Sequence, residues 1–199
     1  MTAAIQERKQ RELDALYAPY RDFVHSPLYI AGCTHIVFGE GNPNARIMFV
    51  GEAPGREEDI QARPFVGRSG KLLDRALELS GLSRSEVYIT NIVKCRPPQN
   101  RTPFPQELRA GRSLLLKQIE TIDPAVICTL GNAALHGLTE TAYRITLVHG
   151  QPLDFGGRIL LPTFHPAHIL RNKNYAQRLL ADIKKLLPLA QASTKKAAA

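Results

Sequence analysis

Residues 46–59, Arg-Ile-Met-Phe-Val-Gly-Glu-Ala-Pro-Gly-Arg-Glu-Glu-Asp, decide how the chain is read. The segment from Arg46 to Val50 is apolar without alternation and is closed by Gly51, the pattern of a short strand buried on both faces. Three further runs share it: 87–93 (Val-Tyr-Ile-Thr-Asn-Ile-Val), 125–130 (Ala-Val-Ile-Cys-Thr-Leu) before Gly131, and 158–163 (Arg-Ile-Leu-Leu-Pro-Thr). Helical spacing fills the intervals. Residues 69–79 carry apolar side chains three and four apart and stop at Gly81; 105–122 align Leu108, Leu115, Leu116 and Ile119; 175–187 align Leu179, Leu180, Ile183 and Leu187. An opening helix over 3–18, with Ile5, Leu13, Leu16 and Tyr17 at near-helical intervals among charges, ends before Pro19. Strands alternating with helices require right-handed crossovers and a parallel sheet covered on both sides. The expected fold is α/β, a three-layer α/β/α sandwich with a central four-stranded parallel sheet. It forms one domain over 1–190, followed by a frayed tail over 191–199.

Composition agrees with a globular domain. The 199 residues are 44% hydrophobic and 22% charged, with 14 Gly and 14 Pro, which argues against disordered, collagen-like and coiled-coil chains. The opening residues are charged where a signal peptide needs an apolar run, and no stretch is long enough to span a bilayer, so a soluble cytoplasmic protein without a membrane partner is expected. Cys33, Cys95 and Cys128 are odd in number and lack a short paired spacing, which reads as reduced thiols. Lys and Arg outnumber Asp and Glu by 26 to 18, a formal +8 that hints at a polyanionic partner.

Ligands of open parallel sheets sit beyond the carboxyl ends of the strands, so the chemistry is sought in those loops. After the first strand come Glu52, Ala53, Glu58 and Asp59, and soon after them Pro64-Phe65-Val66-Gly67-Arg68-Ser69-Gly70. Such a loop lets backbone amides approach a ligand and brings acids and an aromatic ring with them, although alone it is equally an ordinary surface turn. The second strand ends in Asn91, whose amide offers a donor and an acceptor together and so suits a nucleobase edge; a turn-capping Asn is the plainer reading. Beyond it, Lys94, Arg96, Asn100 and Arg101 occur without acids, a composition fit for phosphate contacts. The fourth strand leads into Thr-Phe-His-Pro at 163–166, where His165 stands beside the amides of a starting turn, a setting that favours neutral imidazole.

These segments resemble, in order, the motifs of the uracil-DNA glycosylase superfamily, and most closely its family 4, usually iron–sulfur enzymes. The match runs over about residues 37–185: Val-Gly-Glu-Ala-Pro-Gly at 50–55, Pro-Phe-Val-Gly at 64–67, Tyr-Ile-Thr-Asn-Ile-Val-Lys-Cys-Arg-Pro-Pro at 88–98, Leu-Gly at 130–131, and Thr-Phe-His-Pro with Leu170-Arg171. The resemblance implies an enzyme that flips deoxyuridine out of single- or double-stranded DNA and hydrolyses its glycosidic bond. Glu52 and His165 would be catalytic. Phe65 would stack on the base and Asn91 read its edge, with Ala53, Glu58 and Asp59 completing the base site. Ser69, Arg96, Arg101, Leu170 and Arg171 would touch DNA, the leucine and arginine where the family fills the gap left by the departed base. A monomer is the default.

The same residues suit the reaction on physical grounds. Cleaving a deoxyribosyl C–N bond builds positive charge on the sugar and negative charge on uracil O2, so a donor at that oxygen and an oriented water are what the chemistry needs. His165 can supply the first and Glu52 the second. No Lys takes a matched catalytic position, so strand-cutting lyase chemistry is not expected. A slow binder of uracil or abasic DNA, or a glycosylase of wider deaminated-base range, is the alternative. A phosphate hydrolase is disfavoured because the Gly-rich loop lacks the Gly-Lys-Ser/Thr ending.

Two departures stand out. Ala53 replaces the catalytic aspartate of better-known uracil glycosylases, although family 4 itself commonly carries Gly or Ala there. Of the four cluster cysteines that the resemblance implies, only Cys95 remains: Phe23 and Ser26 fall at the first pair and Gly111 at the last. No iron–sulfur cluster, and no other metal or cofactor, is therefore expected. Packing around Phe23, Leu28 and Tyr29 would replace it, and a mixed site from Cys33, Cys95 and His25 or His35 is the minor alternative.

Overall fold

The computed structural model describes residues 2–197, with no account of the side chains of Thr2, Phe23 and 194–197. Its strands are β1 (Glu40–Gly41), β2 (Ile47–Gly51), β3 (Tyr88–Asn91), β4 (Val126–Leu130), β5 (Leu153–Phe155) and β6 (Arg158–Thr163), in one sheet of order β1-β3-β2-β4-β6-β5. The four expected strands are the parallel centre, β3-β2-β4-β6. The expected count of four becomes six, because β1 and β5 add antiparallel edges. At two and three residues they are too short to leave a periodic trace in sequence. They satisfy edge groups that would otherwise stand unpaired.

The helices are α1 (Thr2–Tyr17), α2 (Arg56–Gln61), α3 (Arg68–Glu78), α4 (Pro105–Ile122), α5 (Asn132–Thr139), α6 (Ile145–Val148), α7 (Pro166–Arg171), α8 (Ala176–Lys184) and α9 (Leu186–Ala197). Leaving β2 for β3 moves the chain one way along the sheet, while β3 to β4 and β4 to β6 move it the other way. Right-handed crossovers then put α3 on one face and α4 and α5 on the opposite one. The packing agrees: α1 lies on α4 and α4 on α5, whereas α3 meets α7 and α8, and α8 meets α9. Between these layers Met48, Phe49, Val50, Ile127, Cys128 and Leu161 are entirely removed from solvent. Burial pushes the Cys128 thiol pKa far up, which fits its role as a small core residue. No described helix is long and apolar enough to cross a membrane.

The closing helix is two rather than the expected one, because Pro188 lacks the N–H that would continue the ladder; it stands in the first turn of α9, where none is needed. Of the expected frayed tail, residues 191–197 are helical within α9, and 198–199 lie outside the described residues. Ile5 is 38% exposed, and Leu13 anchors α1.

The cysteines are the larger correction. Cys33 and Cys95, expected as free thiols, form a disulfide across 62 residues, with Cα atoms 5.8 Å apart. The Val37 N–H donates to the Lys94 carbonyl at 2.7 Å, so the stretch before β1 runs beside the loop after β3 and brings the sulfurs together. Sequence spacing could not show it, because the neighbourhood exists only once β3 has been laid into the sheet.

Candidate active site

The parallel strands follow the order second, first, third, fourth in chain sequence, so the connections leaving β2 and β4 diverge and open a crevice at their carboxyl ends. A cavity of about 470 Å³ fills it, lined among others by Glu52, Ala53, Phe65, Asn91, Arg101, His165 and Arg171. Gly51 closes β2 at the narrowest point. A Cβ there would stand 2.3 Å from Asn91 Oδ1 and 2.5 Å from the Phe65 ring, so only glycine lets amide and ring converge.

Asn91 ends β3 almost fully buried, and its Oδ1 has no hydrogen-bond partner among the described residues. Its backbone carbonyl is held from below. The Lys94 ammonium, wholly buried, donates to Asn91 O (2.7 Å), Thr90 Oγ1 (2.6 Å) and Gln118 Oε1 (2.6 Å). Burial pulls the Lys94 pKa well down, while three acceptors around three N–H bonds favour the charged form. Lys94 is therefore a pillar under the strand end rather than part of a phosphate-binding loop.

Phe65 holds a left-handed backbone, φ 51°, and its ring lies 5.6 Å from the His165 ring at an interplanar angle of 31°. His165 follows β6. Its neighbour Phe164 is buried against the rings of His149 and Tyr175, which anchors the turn. The Ala167 N–H donates to His165 Nδ1 at 3.0 Å, so the ring carries its proton on Nε2. Burial, helped by the Arg171 charge, lowers this imidazole to about 4, leaving it neutral at physiological pH with one N–H to give.

Glu52 is half-buried, and its carboxylate makes no hydrogen bond among the described residues. Burial raises its pKa above the ordinary 4.5, and the Arg171 charge opposes that rise. Its main chain is fixed because Glu52 O accepts from Val93 N–H at 3.0 Å.

Glu58 reaches the cavity wall, but its carboxylate is spent on the backbone N–H groups of Gly55 (3.1 Å), Val66 (2.9 Å) and Gly67 (2.8 Å). Asp59, expected at the base site, points elsewhere: it accepts from the Thr34 and His35 amides at 2.9 and 3.1 Å. Consecutive residues on α2 diverge by about 100°, so both acids could not face one cavity. Ser69 and Arg171, expected at the DNA, line the cavity. Arg101 does too, but Glu107 grips its guanidinium twice, at 2.8 and 2.7 Å, and the guanidinium lies 3.7 Å over the Phe104 ring. Arg96 does not line the cavity but is bonded to Asn100 Oδ1, whose residue does, and Leu170, 37% exposed, also stands outside the lining. Sequence reasoning gave no role to His168, which lines the cavity one turn beyond His165, nor to Arg84, whose guanidinium reaches the carbonyls of Pro64 and Phe65. Its signal lay 19 residues from Phe65, in a turn with no motif of its own.

A family model for the uracil DNA glycosylase superfamily matches residues 38–187. The chain belongs to that superfamily. It is 52% identical over 156 residues to a type-4 uracil-DNA glycosylase of Thermotoga maritima, covering 76% of this chain and 81% of that one. Against the type-4 enzyme of Sulfurisphaera tokodaii it is 45% identical over 166 residues, 79% and 76% of the two chains. A type-5 uracil-DNA glycosylase of Pyrobaculum aerophilum shares 32% over 148 residues, 64% and 63%. Within the superfamily, similarity to the type-4 members is the greater.

The residues present do not fit an iron–sulfur cluster. Cys95 is bonded to Cys33, and Ser26 Oγ accepts from the Leu28 amide. At 111 a Cβ would stand 2.0 Å from Ile92 O, so no ligating side chain fits that backbone. In the mixed alternative, Cys33 and Cys95 are bonded to each other and His35 Nδ1 is bonded to Asp59 O at 2.7 Å. Of the residues expected to pack in the cluster's place, Leu28 is buried, Tyr29 is 38% exposed, and the Phe23 side chain lies outside the described ones.

Proposed function

We propose that the chain is a monofunctional glycosylase that takes deoxyuridine out of DNA into this cavity, hydrolyses its N-glycosidic bond and leaves an abasic site, without an iron–sulfur cluster. The observation that carries the reading is the buried, unpartnered Oδ1 of Asn91 beside the Phe65 ring. A buried acceptor left unpaired costs about 1–3 kcal/mol, which a matching donor on the ligand recovers. Uracil N3–H is such a donor, and its O4 accepts from Asn91 Nδ2; cytosine reverses both and meets acceptor with acceptor. Stacking on Phe65 offsets part of the few kcal/mol that base extrusion costs.

As C1′–N1 breaks, its electron pair passes into the uracil ring and charge gathers on O2. The His165 Nε2–H, neutral and already oriented, donates to that oxygen and need not lose its proton. Water adds to C1′, and Glu52, ionised, orients it and takes its proton as the bond forms. Arg171 beside both groups favours the anionic partners. Lys94 cannot form a Schiff base from beneath the sheet end, which supports hydrolysis without lyase chemistry.

The test is single-turnover cleavage of a uracil-containing oligonucleotide, developed with alkali. Wild type releases uracil, while Glu52→Gln, Asn91→Ala and His165→Ala each lose about 10²–10⁴-fold. Wild-type rates in all three would overturn the assignment.

A further inference from the structure

Phe65 is an aromatic residue in a left-handed conformation, which costs about 1–2 kcal/mol that the surroundings must hold in place. What holds it converges on one peptide unit, the one joining Phe65 to Val66. Its carbonyl oxygen accepts from Arg84 Nη1 at 3.0 Å, and its N–H donates to Glu58 Oε1 at 2.9 Å. The neighbouring groups repeat the pattern on each side: Arg84 Nη2 donates to Pro64 O, and Gly67 N–H donates to the same Glu58 oxygen at 2.8 Å. Gly70 completes the enclosure, since a Cβ there would stand 1.9 Å from Phe65 O.

Arg84 is itself tightly aimed. Its Nε donates to Glu40 Oε1 and its Nη1 to Asp74 Oδ1, both at 2.8 Å, so two acids fix the fork and leave its remaining N–H groups on the carbonyls. A cation on the oxygen and an anion on the nitrogen of one peptide set its plane, and that plane sets the Phe65 backbone angle from which the ring projects. Arg84 is not part of the cavity lining, and Glu58, which is, has its carboxylate on backbone N–H groups.

We propose that Arg84 and Glu58 are positioning residues for base capture: together they clamp the Phe65–Val66 peptide so that the Phe65 ring is presented, already ordered, to the extruded base. This rests on the reading of Phe65 as the base platform. A ring placed in advance loses less freedom on binding, so the clamp acts on substrate capture more than on bond cleavage.

The experiment is a double-mutant cycle on kcat/KM with a uracil oligonucleotide carrying 2-aminopurine beside the uracil, whose fluorescence reports base extrusion. Arg84→Met and Phe65→Ala should each lower kcat/KM about ten- to a hundredfold, mostly through KM and a weaker fluorescence rise. The double variant should be no worse than Phe65→Ala alone. Arg84→Lys, which keeps the charge opposite Glu40 and Asp74 but not the fork, should fold normally and still lose capture. Additive losses in the cycle, or full capture by Arg84→Lys, overturn the clamp while leaving the platform standing. Wild-type kcat/KM in Phe65→Ala overturns the platform and the clamp with it.

Discussion

At the scale of single residues, the proposed mechanism depends on two titrating groups, and both have shifted pKa values. In that mechanism Glu52 is ionised to orient water, and burial raises its pKa above 4.5; His165 stays neutral until the pH approaches 4. As pH falls, Glu52 therefore protonates first. The expected profile of kcat has one acid limb, beginning above the usual glutamate range, with no change through pH 6–7 from His165. In Glu52→Gln the residual activity should hold to lower pH and fall only near 4, where His165 protonates. A limb that stays put in this variant would assign it to another group. Stability follows His165 with the same sign. Its folded pKa lies below the unfolded 6.5, so the unfolded chain binds more protons between the two values, and stability falls as pH drops from 6.5 towards 4. Gly51 sets a steric prediction: in Gly51→Ala the new methyl collides with Asn91 and Phe65, and uracil release should drop about a hundredfold while secondary structure by circular dichroism is retained.

Elements carry the next prediction. The end of β3 rests on Lys94, and Lys94→Met would strand the carbonyl of Asn91 and the amide oxygen of Gln118 in the core. Urea denaturation should show a loss of about 2–4 kcal/mol, larger than for any exposed lysine. How much of this was legible follows from the period of each signal. The four buried runs, α3 and α4 were readable because each repeats its pattern over several residues. The cavity residues Glu52, Asn91 and His165 were readable because they stand at or just beyond strand ends, and Phe65 because its Pro-Phe-Val-Gly motif lies in the loop between α2 and α3. Asp59 turns away from the cavity because adjacent residues on a short helix point about 100° apart, and the partner of Arg101, Glu107, belongs to the next helix. Arg84 and the cystine were invisible for a common reason: both are contacts between loops that only the finished sheet brings together.

For the whole molecule, the Cys33–Cys95 bond ties the segment before the sheet to the loop that leaves its second parallel strand. Closing a loop of 62 residues removes about 4 kcal/mol of unfolded-state freedom in the chain-entropy account. Thermal unfolding with and without reductant should therefore differ, with the reduced protein melting several degrees lower, and Cys33→Ser should melt there in either buffer. A protein that melts alike in both conditions would contradict the bond. Freshly purified protein should show no absorption near 400 nm. Maturation would then ask nothing of iron delivery: the chain made by cell-free translation under a strong chelator should reach the same specific activity as one made in iron-replete extract.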